Sequence, residues 1–187
     1  MSSILVYQPI NATIPVEILK KCFESFNDSI GFAYIHFKGK KKQIKIHKNF
    51  KSFENFYKYY SLVKKSARLI HFAQQSEELK NYCGPFKIDE NHVLIHTGHI
   101  WEKNILEIKD QSQTVNFLKL LKRIWNPVLF NDENLTWLIE EALSYSNMAV
   151  IMNINGEAQI FNKNKGFDLH GCWVSVMPSP AIVNNYN

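Results

Sequence analysis

The amino-acid sequence predicts an α+β fold in which mainly antiparallel sheets are covered by helices. Predicted strands and helices occur in clusters along the chain, which favours antiparallel pairing over alternating parallel β-α-β units. Two hairpin signals support this class, because Gly39 between lysines marks one tight turn and Asn155-Gly156 marks another. With 187 residues, of which 45% are hydrophobic and 13% aromatic, the chain can bury the core of a single domain.

The first part of the chain is predicted to form a strand, a helix and a hairpin. The apolar run from Ile4 to Tyr7 is typical of a short strand, and Thr13 with Pro15 announces a helix. The apolar side chains at helical spacing there are Val16, Leu19, Phe23 and Phe26. The segments GFAYIHF and KQIKIHK follow as paired strands, and Ile44 and Ile46 alternate with polar residues as in a half-buried strand.

The central part adds an aromatic helix and two further strands. Ser52 is placed to cap a helix, since a serine oxygen accepts hydrogen bonds from the first backbone N–H groups of a helix. The aromatic side chains that follow at helical spacing are typical of core packing: Phe53, Phe56, Tyr57 and Tyr60. Strands are predicted from Arg68 to Phe72 and from His92 to His96.

The last part is predicted to contain two helices, a hairpin and a final strand. Ser112 is placed to cap the first of these helices, and Asn131 or Asp132 the second. The side chains expected to face inward are Val115, Leu118, Leu121 and Ile124 in the first helix, and Leu135, Leu138, Ile139 and Ala142 in the second. MAVIMNINGEAQIF forms the hairpin, and CWVSV is the final strand.

Cysteine usage and hydropathy argue against several classes of protein. The chain has three cysteines, which are Cys22, Cys83 and Cys172. Their number is odd and no two of them form a CxxC motif, so neither a disulfide framework nor a zinc site is indicated. We expect reduced, buried thiols, no bound metal and no cofactor. No apolar run approaches the roughly 20 residues of a membrane span, and the N-terminus lacks a secretory signal pattern. A cytoplasmic protein without membrane association is therefore expected.

The net charge of +5 is concentrated in the segment KGKKKQIKIHKNFK, from Lys38 to Lys51. The residues of this basic patch are Lys38, Lys40, Lys41, Lys42 and Lys45. Such a run can bind nucleic acid or an acidic protein surface. Alternatively, the lysines form the solvated face of a half-buried strand and protect a sheet edge from unwanted pairing.

A series of short motifs then points to a family. In chain order the motifs are Met1-Ser2-Ser3 before the first strand, FNDSIGFAYI, IHFAQQSEE, NYCGPF, IHTGHI, Ser112-Gln113-Thr114, LIEEAL, NING and GCWVSV. In their order and spacing they resemble the class II glutamine amidotransferase domain of the N-terminal nucleophile hydrolases, specifically its small stand-alone versions in phages and bacteria. The resemblance implies a sandwich of two mainly antiparallel sheets flanked by helices (αββα). It implies one glutaminase-like domain over residues 1–177, followed by a polar tail over 178–187.

The positions that carry the family's chemistry are exchanged in this chain. In the family an N-terminal cysteine, freed by removal of the initiator methionine, attacks the glutamine amide, and Ser2 occupies that place. Ala73 replaces the arginine that grips the substrate carboxylate, and Gln113 replaces the aspartate that binds its ammonium group. Thr97 replaces the asparagine that supports the oxyanion, although Gly98 retains a backbone N–H.

We therefore expect a catalytically inactive protein that acts by binding. The positions that line the former cleft are His71, Ala73, Gln75, Ser76, His96, Thr97 and Gln113. The expected partner is a protein. The resemblance implies a phage-encoded protein that binds or inhibits a factor in the host cytoplasm, in host takeover or counter-defence, and homo-oligomerisation stays open.

Two alternative functions remain open at this stage. An active N-terminal serine amidohydrolase would use Ser2 on a substrate other than glutamine, with His71, His96 or His99 assisting. However, His71 and His96 each end an apolar strand, which is typical of interior histidines. The second alternative is a nucleic-acid-binding module that uses the basic patch, and its affinity would fall steeply with salt.

Overall fold

The computed structural model describes residues 3–26, 29–63, 65–74, 84–97, 113–143 and 147–176. Within these ranges the chain forms four α-helices and two sheets, and every pair of neighbouring strands is antiparallel. The predicted α+β class with antiparallel sheets is therefore confirmed. None of the described helices has the length and apolar character needed to cross a membrane.

The larger sheet has six strands and lies in the order β3-β2-β4-β1-β10-β9. Its strands are β1 (Ser3–Gln8), β2 (Ser29–Lys38), β3 (Lys41–Lys48), β4 (Arg68–Ala73), β9 (Phe167–Leu169) and β10 (Cys172–Val174). The predicted hairpin around Gly39 is the β2–β3 pair, in which Lys38 lies opposite Lys41. Gly39 has a φ of 62°, a conformation that glycine adopts without the steric cost a side chain would bring. Because β3 is an edge strand, its lysines do lie at a sheet edge.

The smaller sheet has four strands in the order β5-β6-β7-β8. Its strands are β5 (Phe86–Lys87), β6 (His92–His96), β7 (Ala149–Asn153) and β8 (Ala158–Phe161). The β7–β8 pair is the hairpin that Asn155-Gly156 predicts, and Gly156 has a φ of 85°.

The helices are α1 (Val16–Ser25), α2 (Phe53–Leu62), α3 (Gln113–Ile124) and α4 (Glu133–Leu143). Ser52 caps α2 as predicted, since its hydroxyl accepts a hydrogen bond from the backbone N–H of Asn55 at 3.3 Å. Asp132 caps α4 through a bond of 2.9 Å from the N–H of Leu135. The predicted cap of α3, Ser112, lies outside the described residues.

Three groups of buried apolar side chains show how these elements stack into layers. The first joins α1 and α2 to one face of the larger sheet and includes Leu19, Phe56, Ile70 and Phe72. The second lies between the two sheets and includes Leu5, Leu69, Val93 and Val150. The third joins α3 and α4 to the outer face of the smaller sheet and includes Leu94, Phe117, Ile139 and Ile151. The layers therefore follow the order helices, sheet, sheet, helices, as in a sandwich.

Two of the side chains predicted to face inward are instead exposed. Ile124 is 47% exposed, because the inward stripe of α3 runs through Phe117 and Leu121 and continues into Trp125. Leu138 is 51% exposed, since the buried stripe of α4 passes through Leu135, Ile139, Ala142 and Leu143. Both errors arise because helical spacing alone does not decide which edge of an apolar stripe meets the sheet.

The described cysteines are buried and inert. Cys22 and Cys172 are free thiols, as predicted, and burial raises the pKa of each to about 12. A thiol in that state carries almost no reactive thiolate near neutral pH. Cys83 and the predicted tail over 178–187 lie outside the described residues.

Candidate functional site

Three residues meet at the end of the larger sheet where β1 begins. Ser3 of β1 and Ser29 of β2 both lie opposite Ala73 of β4 in the antiparallel register. Alternation along each strand turns all three toward the smaller sheet, because Leu5, Ala33 and Leu69 on the same faces lie in the cluster between the sheets. We call Ser3, Ser29 and Ala73 the amino-terminal row.

The amino-terminal row contains Ser3, which follows the position that the resemblance assigns to a nucleophile. Ser2 itself lies outside the described residues, and Ser3 is the first described residue. Ala73 is 1% exposed and Ser29 is 2% exposed, so the row is closed to solvent at these two positions. A small apolar side chain therefore fills the place that the resemblance assigns to a carboxylate-binding arginine.

The next inward-facing position along β4 is His71, which lies opposite Leu5 and Gly31. The backbone N–H of Gly84 donates to its Nδ1 at 3.1 Å. Burial, with smaller contributions from His96 and Lys48, lowers the pKa of His71 to about 3. Its imidazole is therefore neutral at pH 7 and holds the segment before β5 in place.

Gly31 allows that segment to approach the sheet. A Cβ atom added to Gly31 would lie 1.7 Å from the carbonyl oxygen of Gly84 and 2.5 Å from Cδ of Pro85. Gly84 itself lies between the sheets, since a Cβ there would stand 3.2 Å from His71 and 3.3 Å from Ile95. We refer to the amino-terminal row together with Gly31 and His71 as the closed end.

His96 and Thr97 lie at the end of β6 and point to opposite faces of the smaller sheet. His96 is on the helix side, where its ring centroid is 6.5 Å from those of Phe86 and Phe117. Burial lowers the pKa of His96 to about 4. As strand-end histidines typically do, His71 and His96 lie in the interior, each 5% exposed.

Thr97 has a structural use for its hydroxyl group. Its Oγ1 accepts a hydrogen bond from the backbone N–H of Met148 at 3.0 Å, and its own N–H donates to the Met148 carbonyl at 2.8 Å. These bonds continue the pairing of β6 with the chain before β7. The Thr97 hydroxyl, at the position where the resemblance expects an oxyanion donor, is thus bound to the backbone.

The side chains of the remaining predicted cleft residues are not among those that the structure describes. Gln113 is the first residue of α3, and its side chain is not among those described. Gln75, Ser76 and Gly98 lie outside the described residues, as does His99. In the part of the chain that the structure describes, no three His, Cys, Asp or Glu side chains are grouped so as to hold a metal ion.

The sheet divides the predicted basic patch between two faces. Lys38, Lys41 and Lys45 lie on the outer face with Tyr34, because the register pairs Lys38 with Lys41 and Tyr34 with Lys45. Lys42 lies on the inner face with Ile44, where its Nζ donates to Oδ1 of Asn155 at 2.9 Å. Lys40 belongs to the turn. The patch that sequence reasoning treated as one surface is therefore two.

A groove runs along the edge strand β3 and is lined by side chains from both faces of that strand. It has a volume of about 580 Å³ and lies between β3 and the β5–β6 turn. Its charged lining residues are Lys42, Lys45, Lys87 and Glu90, and its apolar lining residues are Ile44, Ile46 and Ile154. Sequence reasoning missed Lys87, since nothing local relates it to the basic patch.

Sequence reasoning also missed an aromatic cluster on the outer face of the hairpin. The ring of His47 is stacked on Tyr34, with centroids 5.7 Å apart and planes at 6°, and lies 4.7 Å from the ring of Tyr59. His36 adjoins Tyr34 at 6.4 Å. The alternation of Tyr34 and His36 with apolar residues in GFAYIHF was the available signal.

Arg68 is a buried cation that the sequence did not single out. It is 1% exposed, and its guanidinium group lies 4.3 Å from the ring centroid of Tyr60. Its Nε donates to the carbonyl of Ser66 at 3.2 Å, and burial lowers its pKa. The position faces α2 on the side of the sheet away from the closed end, so Arg68 does not supply the arginine that the resemblance expects at Ala73.

Comparison with known proteins adds no family. A scan of the chain against protein-family models found no matching family. A search of the curated proteins found no significant match either. The resemblance to the class II glutamine amidotransferases therefore rests on the sequence motifs alone.

Proposed function

We propose that the protein is a catalytically inactive member of the class II glutamine amidotransferase group, with an N-terminal nucleophile hydrolase sandwich, and that it acts by binding another molecule. The observation that carries this proposal is the burial of Ala73 in the amino-terminal row, opposite Ser3. A substrate carboxylate at that place would meet a methyl group and no cation. Such a site has lost the bidentate charge pairing by which arginine selects a carboxylate.

The layer order supports the proposed fold. Two antiparallel sheets face one another, and helices cover their outer faces. The resemblance implies this arrangement, with the chain start at the end of a strand beside the site. Fold alone does not specify chemistry, so the proposal depends on the side chains at the closed end.

The titrating groups near the closed end are poorly suited to general base catalysis. His71 and His96 have pKa values lowered by burial to about 3 and about 4. A general base is most effective when its pKa lies near the working pH, so these imidazoles would accept a proton weakly at pH 7. His71 Nδ1 is also occupied by the Gly84 N–H.

The loss of the oxyanion donor supports the same proposal. An oxyanion hole needs donors aimed at the reacting oxygen, and removal of one such donor costs roughly 10²–10³ in rate. The Thr97 hydroxyl accepts a bond from the Met148 N–H and lies 3.5 Å from the Met148 carbonyl. It is held along the strand pairing and not presented to a substrate.

A protein is the proposed partner. Trp137 and Leu138 are adjacent on α4 and are 64% and 51% exposed. Tryptophan side chains supply much of the binding energy in many protein interfaces, so this face is suited to protein contact. The resemblance to stand-alone phage proteins extends the proposal to a phage-encoded protein that binds a host factor.

The test of catalytic inactivity is an ammonia-release assay with the purified full chain and glutamine. We expect no ammonia above that of a protein-free blank, from the wild type or from the Ser2→Ala variant. Glutamine turnover that Ser2→Ala abolishes would refute the proposal. Mass spectrometry of the mature N-terminus provides a second test, because a retained initiator methionine excludes Ser2 as an N-terminal nucleophile.

A further inference from the structure

The outer face of the β2–β3 hairpin combines aromatic rings with unpaired cations. We define this hairpin face by seven residues: Tyr34, His36, Lys38, Lys41, Lys45, His47 and Tyr59. It lies on the opposite side of the larger sheet from the closed end, and it is independent of the amidotransferase resemblance.

The rings of the hairpin face form one continuous group. The Tyr34 hydroxyl lies 3.4 Å from Nε2 of His47, and the ring of Tyr59 of α2 lies 4.7 Å from that of His47. Tyr59 also contacts Phe50, with ring centroids 5.8 Å apart. These contacts hold the rings in fixed positions, which lowers the entropy lost when a flat ligand stacks on them.

The hairpin face is open because α2 covers only part of the sheet. Phe32 lies under Phe56 and Tyr60 and is completely buried. Farther along the same face of β2, Tyr34 and His36 are half-buried and Lys38 is exposed. Tyr59, on the side of α2 nearest the hairpin, is 41% exposed. The rings on this face of β2 are therefore buried at Phe32 and partly exposed at Tyr34 and His36.

The cations lie directly beside these rings. Lys45 is opposite Tyr34, and Lys38 is opposite Lys41, so the side chains of each pair are immediate neighbours on one face. All three lysines are exposed, and within the described residues none of them forms an ion pair. Their charge is available to an anionic ligand.

An apolar pocket adjoins the hairpin face at His36. It has a volume of about 410 Å³ and is lined by His36, Phe37, Leu62 and Lys65 among others. Phe37 and Leu62 are 56% and 74% exposed, so the pocket has open apolar walls with a cation at its rim. This combination suits a flat, partly apolar group attached to an anion.

Rings and cations on one surface indicate the class of ligand. Single-stranded nucleic acid is bound by aromatic side chains that stack on bases and by cations that contact phosphates. A duplex hides the faces of its bases and would meet only the lysines. An acidic peptide would fit the groove beside Lys42 and Lys87 better, because that groove offers an open strand edge and its lining contains no aromatic ring.

We propose that the hairpin face binds single-stranded nucleic acid. Bases stack on Tyr59 and on His36, whose ring stands at 89° to that of Tyr34, and backbone phosphates contact Lys38, Lys41 and Lys45. Any base works in such a site, because every base has a flat aromatic face.

The test uses the full chain and a fluorescein-labelled oligothymidine of about 12 nucleotides, a length within the usual site size of such proteins. Binding is measured by fluorescence anisotropy at about 50 mM and about 200 mM salt, and three phosphate contacts predict a loss of affinity of about 20-fold between them. A duplex of the same length is expected to bind more weakly at both salt concentrations.

Single substitutions separate the two parts of the proposed site. Tyr59→Ala is expected to weaken binding by about tenfold with the salt dependence unchanged, since stacking on one ring contributes roughly 1–3 kcal/mol. Lys41→Gln is expected to weaken binding and to reduce the salt slope by about 0.7. Lys42→Gln, one position along the same strand but on the other face, is the matched control and should change affinity less than about twofold.

Thermal unfolding of each variant establishes that it is folded, and Tyr59→Leu replaces Tyr59→Ala if Tyr59→Ala does not fold.

Three results would overturn the proposal. The first is no binding of the oligonucleotide at about 50 mM salt. The second is equal weakening by Lys41→Gln and Lys42→Gln with no effect of the Tyr59 variants, which would indicate unspecific charge attraction. The third is that labelled polyglutamate, bound in the groove through Lys42 and Lys87, competes with the oligonucleotide. That result would place the oligonucleotide in the groove and not on the hairpin face.

Discussion

The two ends of strand β2 differ sharply in their surroundings. At its start, Ser29 and Gly31 are buried beside β4, and Gly31 also pairs with β3 and is in contact with the segment of Gly84. At its far end, Lys38 is exposed and has only β3 as a neighbour, because β4 pairs with β2 no farther than Tyr34. His71 at the closed end is buried and accepts a hydrogen bond from Gly84, whereas the lysines of the hairpin face are exposed.

This difference shows where binding chemistry is to be sought in the molecule. A small buried side chain such as Ala73 offers a ligand neither charge nor access from solvent. A sheet that extends beyond its neighbouring strand and covering helix exposes side chains that are still rigidly held. The predictions below test this contrast, beginning with the largest effect.

Gly31→Ala is expected to destabilise the closed end severely. The added Cβ would overlap the Gly84 carbonyl oxygen at 1.7 Å, and backbone atoms cannot move aside as a flexible side chain can. We expect a loss of about 3 kcal/mol or more in the free energy of unfolding, measured by urea denaturation. Gly39→Ala at the hairpin tip is the control, since no atom lies within 4 Å and only its φ of 62° is unfavourable. It should cost about 1–2 kcal/mol, and an equal cost for both variants would contradict the contrast.

Acid is expected to weaken the folded state through its buried histidines. The pKa values of His71 and His96, about 3 and about 4, lie below the ordinary value of 6.5. Between pH 6.5 and these folded-state pKa values, both histidines bind a proton in the unfolded chain but stay neutral in the folded chain. Their contribution to stability is complete above pH 6.5 and is lost as the pH falls toward the folded-state values.

When the pH is lowered from 7 to about 5, each of the two histidines should therefore reduce the free energy of unfolding by about 2 kcal/mol. His71→Asn removes one titrating group and retains an oxygen that can accept the Gly84 N–H. Urea denaturation at both pH values should show that the variant loses about 2 kcal/mol less stability between them than the wild type does. The same loss in both proteins would contradict a buried neutral His71.

Thr97→Val tests whether the Thr97 hydroxyl is structural. Valine has the same shape but leaves the Met148 N–H without its acceptor at 3.0 Å. Loss of a buried hydrogen bond partner costs about 1–3 kcal/mol, which thermal or chemical unfolding would detect. Thr97→Ser retains the hydroxyl and should recover most of this loss. If Val and Ser variants are equally stable, the bond contributes nothing.

Lys45→Gln should leave stability almost unchanged, within about 0.5 kcal/mol, because the side chain is exposed. A local effect is nevertheless expected at His47. Burial and the charge of Lys45 lower the pKa of His47, so removal of that charge should raise the pKa. An NMR titration that follows the ring protons of His47 in both proteins measures the direction of this pKa change. A downward shift would show that the two side chains do not lie together on the hairpin face.

Local patterns in the sequence predicted much of the fold. Gly39 and the alternation of Ile44 and Ile46 specify the β2–β3 hairpin, and Ser52 begins α2 as expected. Such features depend on residues close together in the chain, so turn chemistry and periodicity suffice to identify them. The inward stripes of α3 and α4 were predicted less well, because the sheet beneath each helix decides which edge of the stripe is buried.

The site depended on contacts between distant parts of the chain. Ser3, Ser29 and Ala73 meet only through strand pairing across the larger sheet, and no local spacing relates Gly84 to His71. A resemblance in motif order suggested which residues to consider. It did not predict that the Thr97 hydroxyl binds the backbone of Met148.

The sequence by itself determined the α+β class, the two hairpins and the alternation of Ile44 and Ile46 with polar residues in β3. These features follow from backbone geometry, which makes side chains alternate along any strand. Only the tertiary structure decided what each face meets. Because α2 covers Phe32 but leaves Tyr34 and His36 half-exposed, one face of the hairpin presents rings and lysines to solvent. Because Gly84 packs on Gly31 and His71, the other end of the same strand is closed.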